Sequence, residues 1–593
     1  MSELLATDDN MGYILMMLGA NDELAVDTEG SGLNMRNKVD YLMGFSFSVE
    51  GMDCYIPFRH KSSNVSMRWL ENIENLLIDK DLVWHNLKFD MHACKTIGID
   101  PLKWNGKHYD TMMLAHLLDE EMYSKELDFL GRKFLGEGKK KDTEFHKLGQ
   151  VFGYNNITPE AAYEYAGTDT RITRGLKRIF WPRIQQEELE SVYWETELPF
   201  LKLLYQLEQR GVGVDLDFAA EKAKRGRGRM ESIARELHIN PASTKDLEQY
   251  LLNELNLPIL EHTPSCEECK KRRPVTSHEW RPSFNKKVME EYDSMLEHSN
   301  NPAARRVAEF RGWQKATTSL YEPILNKVGP DGLIRTEFKQ HGTVTGRLSA
   351  SNPNLQQVPR GSEKPWNGDA KSAFNSGRSG ASLYGWDYSQ LELRLAAAYG
   401  MESILLTEFE RERSDPFAVL APLIFGVLTP ETRHDTKTFV YANLYGAGLN
   451  KIAWQLGRDP EEVRPLFQNY KNSISNIINV SEQVALLIKQ RKFVKYWDGR
   501  RRHMRNTDKA YKAWNSVVQG GGAQLVKKAM LRLLEVEDAN FFMVMQVHDE
   551  ITCVVETSMI PKYEPYVIEA MTDWPQFPVH FHVEGKEWGK KTA

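Results

Sequence analysis

FFMVMQVHDEITCVVE, residues 541–556, decides how the last part of this chain folds. Two apolar runs, Phe541 to Val547 and Ile551 to Val555, are separated by His548, Asp549 and Glu550, a pattern that predicts a β-hairpin with carboxylates at its tip. An acidic pair hemmed by apolar strands is costly unless metal or hydrogen bonds compensate; an exposed polar turn is the plain alternative. Upstream, WDYSQLELR (386–394) ends a short apolar strand at Asp387 and continues as a helical pattern carrying Gln390, Glu392 and Arg394. Asp387 is therefore either a site carboxylate or a helix N-cap. Between these motifs Arg433, Lys437, Tyr441 and Tyr445 recur every four residues, one drifting stripe of a helix. Such a stripe is often only an amphipathic face, but two cations suit a triphosphate and two rings suit a sugar and base.

The 593 residues predict roughly three to five compact units. With 41% hydrophobic and 27% charged residues, the composition is that of a soluble globular protein and excludes the disordered and fibrous classes. No run approaches the length of a spanning helix, and the apolar Tyr13 to Leu18 stretch follows Asp8 and Asp9 instead of a basic leader, so a cytoplasmic chain without membrane contact is expected. Five Cys cannot build a disulfide framework in a chain this long. The net charge of −6 argues against a simple basic coat protein, yet Lys489 to Arg532 carries 13 Lys and Arg against two acids, with Tyr496, Trp497, Tyr511 and Trp514 interleaved. That block reads either as a solvated face or as a surface for phosphates and bases.

The first stretch reads as α/β, with strand-like Glu23 to Val26 and Asp81 to Trp84 and helical Met112 to Leu118 and Pro159 to Phe180. Asp27 and Glu29 in LAVDTEG stand at i and i+2, on one face of a strand. Asp90 follows the second strand in HNLKFD, and Tyr165 and Asp169 in YEYAGTD share a helical face. Oxygen-only ligands suit Mg²⁺ or Mn²⁺, and two such ions serve phosphodiester hydrolysis. Asp110 opens a helical run and is expected to be its cap.

The order Asp-x-Glu, Asn-x-x-Phe-Asp, Tyr-x-x-x-Asp resembles the DEDD superfamily of 3′→5′ exonucleases, in the branch that uses Tyr. DYSQLELR, the Arg433 to Tyr445 helix and VHDE, in that order, are similar to family A DNA polymerases, as are TVTGRLSASNPNLQQ (343–357) and NSVVQ (515–519). The resemblance implies an α/β multidomain chain in which a ribonuclease H-like exonuclease domain (1–190) precedes a right-hand polymerase domain: thumb 191–332, first part of the palm 333–400, fingers 401–520, second part of the palm 521–593. It implies DNA-directed DNA synthesis with proofreading, a replicative role and a compact form like that of phage enzymes, with a bacterial or plasmid origin open; because the length is that of the polymerase and proofreading portion only, no 5′ nuclease is expected.

By this resemblance Asp387 and Asp549 carry two Mg²⁺ ions, with Mn²⁺ able to substitute, and Glu550 supports them. His548 lies against the primer terminus, and Gln390 lines the nucleotide site. Arg433 and Lys437 grip the triphosphate, Lys437 also donating a proton to pyrophosphate; Tyr445 guards the template stack. Glu392 is the steric gate against a ribose 2′-OH, and Tyr441 implies ready acceptance of dideoxynucleotides. Arg347, Asn354, Gln356, Asn515 and Gln519 test base pairs in the minor groove. The basic Lys489 to Arg532 block, with Arg500, Arg501 and Arg502, and the Lys224 to Arg229 run hold backbone phosphates. In the exonuclease Asp27, Glu29, Asp90 and Asp169 bind two ions, Tyr165 orients the water and Asn86 supports the site. The expected partners are primer-template DNA, dNTPs and replisome proteins, with the chain itself a monomer.

The Cys266-x-x-Cys269 pair, with His262 and His278 nearby, lacks a second strong ligand pair, so zinc is not expected there. Rival readings are a non-catalytic DNA-binding replisome protein, an exonuclease with a regulatory C-terminal half, and an RNA polymerase. Retention of Asp387 and Asp549 opposes the first, the cationic helix the second and Glu392 the third.

Overall fold

In the computed structural model, residues 2–37, 39–138, 149, 151, 153–264, 280–359, 364–366 and 368–589 are described. The Cys266/Cys269 pair and His278 lie outside them. The chain forms two compact units, Met1–Gly211 with Phe338–Ala350 and Gly380–Lys586, and Val212–Glu337 with Ser351–Ser379 and Glu587–Ala593.

The first unit begins with a six-stranded mixed sheet in the order Ser2–Leu5, Met52–Pro57, Leu42–Val49, Glu23–Gly30, Asp81–Trp84, His108–Asp110. The strand expected at Glu23 to Val26 runs on to Gly30, so Asp27 and Glu29 stand within it, opposite Ser46 and Gly44. Strands Leu42–Val49 and Met52–Pro57 are buried throughout, covered on both faces. Helix Pro159–Gln186, capped by the Thr158 side chain, packs across five strands of this sheet. Trp84 stacks on Trp104 at 5.3 Å beneath the sheet's other end. Burying a Leu, Ile or Phe of this core contributes about 1.5–3 kcal/mol each.

A second sheet in the same unit is built from Phe541–Val547, Glu550–Glu556, Ala381–Tyr388 and Val583–Glu587, in that order. The predicted hairpin is present, and its turn residue His548 takes φ +56°, the left-handed conformation a two-residue connection demands. Helices Leu391–Gly400 and Ala513–Leu533 pack together beside this sheet, and Pro430–Leu444 forms as its stripe predicted, with a Thr429/Thr432 capping box.

Basic hairpin Phe493–Lys495/Arg501–His503 belongs to the same unit as the N-terminal sheet. Arg500 and Lys527 pair with fully buried Glu197, Arg502 with Glu120 and Glu121, Arg501 with Glu187, and Arg505 with Asp119. These ion pairs join the N-terminal α/β layer to the C-terminal half, and so two units appear where length suggested more.

The second unit is mainly helical, as expected for Glu195 to Pro323: Leu216–Leu237, Lys286–Glu297 and Ala303–Ala316 enclose Ile233, Leu247, Val288, Tyr292 and Val307. Short strands His262–Pro264 and Trp280–Pro282 pair antiparallel at the base of the Pro258 to Pro282 excursion. Among the described residues no helix is long and apolar enough to cross a membrane.

Candidate active sites

In the N-terminal sheet, Asp27 and Glu29 leave the strand on one side, and helix Leu87–Lys95 brings Asp90 to it. Thr28 Oγ1 donates to Asp90 Oδ1 at 2.7 Å, while the buried Asp90 Oδ2 has no hydrogen-bond partner among the described residues. Burial first, and then the charges of Asp27 and Asp110, push the Asp90 carboxyl well above the usual range, the Thr28 contact offsetting part of this. An acidic group in such surroundings is what a divalent cation would relieve, and the donors are all oxygen, as Mg²⁺ and Mn²⁺ prefer. Tyr165 and Asp169 lie buried on helix Pro159–Gln186. Among the described residues no three His, Cys, Asp or Glu side chains stand in ligating geometry, so ion binding belongs to the proposal below.

Asp110 is the expected cap: its carboxylate accepts from the Met112 and Met113 amides, and also from those of Asn86 and Leu87. Asn86 takes φ +73° at the start of Leu87–Lys95 and thereby turns the helix that delivers Asp90.

In the second sheet Asp387 is the register partner of Glu550. The helix that follows is capped at Gln390, φ +55°, so the N-cap reading of Asp387 fails: the chain needs three more residues to turn from strand into helix. A Cβ on Gly385 would come 2.3 Å from Glu550 Oε1, so glycine there makes room for that carboxylate, which also accepts from Thr552 Oγ1 at 3.1 Å. Asp549 Oδ1 lies 3.8 Å from Arg347. Arg347 also pairs with the buried Glu392, and the Tyr445 hydroxyl donates to Glu392 Oε2 at 2.7 Å. Tyr441 stacks on Tyr445 at 6.3 Å and meets Phe417 at 5.9 Å; burial, then Glu392 and Asp549, push its phenol up to about 12. Asp549, Glu392 and Tyr441 are thus electrostatic neighbours.

On the same helix, Arg433 Nε donates to Asp415 Oδ2 at 2.6 Å, and Lys437 Nζ lies 6.0 Å from the Phe417 ring. Arg394, 1% exposed, gives its guanidinium to the carbonyls of Ser389 and His580 and to Ser414, and burial lowers its pKa to about 10. It fixes the end of the strand that presents Asp387.

Several expected DNA contacts are placed elsewhere. Arg500 and Arg502 are 2% and 5% exposed and spent on carboxylates, as is the half-buried Arg501, so the basic block is in large part an internal charge lock. Its acidic counterparts, Asp119, Glu120, Glu121, Glu187 and Glu197, lie about 300 residues or more away in sequence. Tyr496 and Trp514 are core side chains and Trp497 donates to Gly521 O; only Tyr511 of the four aromatics is exposed. In the Lys224 to Arg229 run, Arg227 and Arg229 pair with Glu322 and Glu309. Arg347, read as a minor-groove donor, faces Glu392. Asn515 and Gln519 lie on helix Ala513–Leu533, while Asn354, in the second unit, caps the Gln356 amide.

The second sheet thus sets two acids face to face near a helix that bears cations and ends in stacked tyrosines. Residues 217–591 match the family model for DNA polymerase family A, and residues 3–185 match a 3′→5′ exonuclease model. The chain belongs to DNA polymerase family A. It is 26% identical to DNA polymerase I of Borreliella burgdorferi over 96% of this chain and 62% of that protein, and 25% identical to that of Pseudomonas aeruginosa over 91% and 60%. It thus spans about 60% of the length of these curated relatives. Among solved structures, the POL domain of Pol1 from M. smegmatis, in complex with DNA primer-template and dNTP, shares the fold: TM-score 0.80, 21% identity, 98% of each chain covered.

Proposed function

We propose that this chain is a DNA-directed DNA polymerase that adds dNTPs to a primer 3′-OH and proofreads with a 3′→5′ exonuclease. The observation that carries the reading is the convergence of Asp549, Glu392, Tyr441 and Tyr445 at the end of the strand pair that sets Asp387 against Glu550. Asp387 and Asp549 would hold the ions of synthesis, and Asp27, Glu29, Asp90 and Asp169 those of proofreading. Two Mg²⁺ ions per site, or Mn²⁺ in their place, would supply Lewis acidity toward the attacking and leaving oxygens.

The chain's own residues account for the rest. Lys437 and Arg433 bind the triphosphate, and Lys437 Nζ passes a proton to the departing pyrophosphate. Glu392, held by Arg347 and Tyr445, excludes a 2′-OH by occupying its space. Tyr441 packs against the sugar, His548 and Gln390 border the primer end and nucleotide, and Tyr445 shields the template stack. Asn515 and Gln519 read pair geometry through minor-groove acceptors common to every base pair, and the same role is proposed separately for Asn354 and Gln356. In the exonuclease Tyr165 orients the water. Primer-template DNA and dNTPs are the partners, with a monomeric chain acting in the cytoplasm beside replisome proteins.

The test is extension of a labelled primer with a mismatched 3′ end. Trimming followed by extension is expected, with Asp549→Ala trimming and failing to extend. Trimming without extension by the unmodified chain would leave an exonuclease alone.

A further inference from the structure

Tyr55, in strand Met52–Pro57, is fully buried, and its Oη lies 2.7 Å from His60 Nε2. The other ring nitrogen, His60 Nδ1, lies 2.8 Å from the carbonyl oxygen of Ile157. A carbonyl only accepts, so Nδ1 carries the proton, Nε2 is the acceptor and the Tyr55 hydroxyl donates. This directed chain runs from the sheet to the residue just before Thr158, the cap of helix Pro159–Gln186. The helix presents Tyr165 and Asp169.

His60 is itself fixed, its amide donating to Asn64 Oδ1 and its carbonyl accepting from Asn64 Nδ2, both at 2.7 Å. At the other end the phenol crosses Gly44, where a Cβ would lie 2.4 Å from Tyr55 Oη; Gly44 is the register partner of Glu29. Tyr55 also shares one apolar cluster with Ile157, Ala162, Tyr165 and Ala166. The phenol therefore touches the sheet beside one pair of acids and the first turns of the helix that carries the other site residues.

We infer that Tyr55 and His60 are positioning residues of the exonuclease site: His60, held by the Tyr55 hydroxyl, donates to the Ile157 carbonyl and so pins the start of the Tyr165/Asp169 helix to the sheet that bears Asp27 and Glu29. Neither is assigned to substrate or ion. The inference rests on the exonuclease reading for its consequence in rate, but the pinning itself is measurable without activity.

Tyr55→Phe, which keeps the ring, and His60→Gln are compared with the unmodified full chain in three assays. Trimming of a single-stranded DNA oligonucleotide is expected to lose roughly tenfold in kcat with KM within about twofold, the scale of removing an outer hydrogen bond from a site. Extension of a matched primer should be unchanged. Hydrogen exchange at the amides of Ala161 to Tyr165 should accelerate about tenfold or more. Tyr55→Phe combined with Tyr165→Phe should cost less than the product of the two single losses, because one acts through the other. Unchanged exchange in both variants would overturn the inference, as would multiplicative losses or a parallel fall in extension. If the unmodified chain does not trim yet exchange responds, the exonuclease reading falls and the pinning stands.

Discussion

Tyr445 donates its hydroxyl to Glu392 at 2.7 Å, so the carboxylate proposed as the gate is tied to the C-terminal end of the helix that bears Arg433 and Lys437. Glu392 is 6% exposed and balanced by Arg347. A buried carboxylate held from two sides keeps one rotamer, and a wall works only if it does not move.

Glu392→Ala should therefore lower discrimination between deoxyribonucleotides and ribonucleotides by about 100-fold, whereas Glu392→Gln, which keeps the volume, should lose far less. Tyr445→Phe removes one charge-assisted hydrogen bond and should cost about tenfold. Single-nucleotide incorporation with matched dNTP and rNTP pairs measures all three.

Tyr441 lies between Phe417 and Tyr445, with its phenol pushed up to about 12 and hence protonated at neutral pH. A donor held there can replace a missing 3′-OH. Competition between dideoxy and deoxy substrates should show weak discrimination, and Tyr441→Phe should raise it at least about tenfold. Strong discrimination by the unmodified chain would refute this role.

Legibility in the sequence followed contact range. Asp27 with Glu29, the hairpin tip and the Arg433 to Tyr445 stripe were readable because strand and helix periods fix which side chains share a face. The Asp110 cap was readable because a cap bonds amides two and three residues on. Arg500 to Arg502 were misread because charge density reveals a need for counter-charge and not its source; Glu197 and Glu120 are supplied by tertiary folding. Arg347 on Glu392 likewise joins residues 45 apart that no local rule relates.

His503 stands between Glu120 and Glu187, and although burial opposes its charge, these carboxylates raise its pKa to about 9. A raised folded pKa means stability fully present below the ordinary value of 6.5 and lost as pH climbs through 9. The contribution is on the order of 3 kcal/mol. The urea midpoint should fall between pH 6.5 and 9, and His503→Gln should flatten that slope. An equally steep fall in the variant would assign the effect to other groups.

Arg500 separates an internal charge lock from a DNA contact. With its guanidinium on Glu197 and only 2% of the residue exposed, Arg500→Ala leaves that buried carboxylate with Lys527 as its counter-charge and the Gln340 amide as a neutral donor. Breaking a buried pair costs about 3–5 kcal/mol, so denaturation should shift by that amount. A phosphate contact, by contrast, would show in the salt dependence of primer-template binding, where each lost contact reduces the slope of log affinity against log salt by about one. The expected outcome is a large loss of stability with an unchanged slope. Lys509→Ala or Lys512→Ala, at exposed positions in the same basic block, provides the comparison that should lower the slope and leave stability intact.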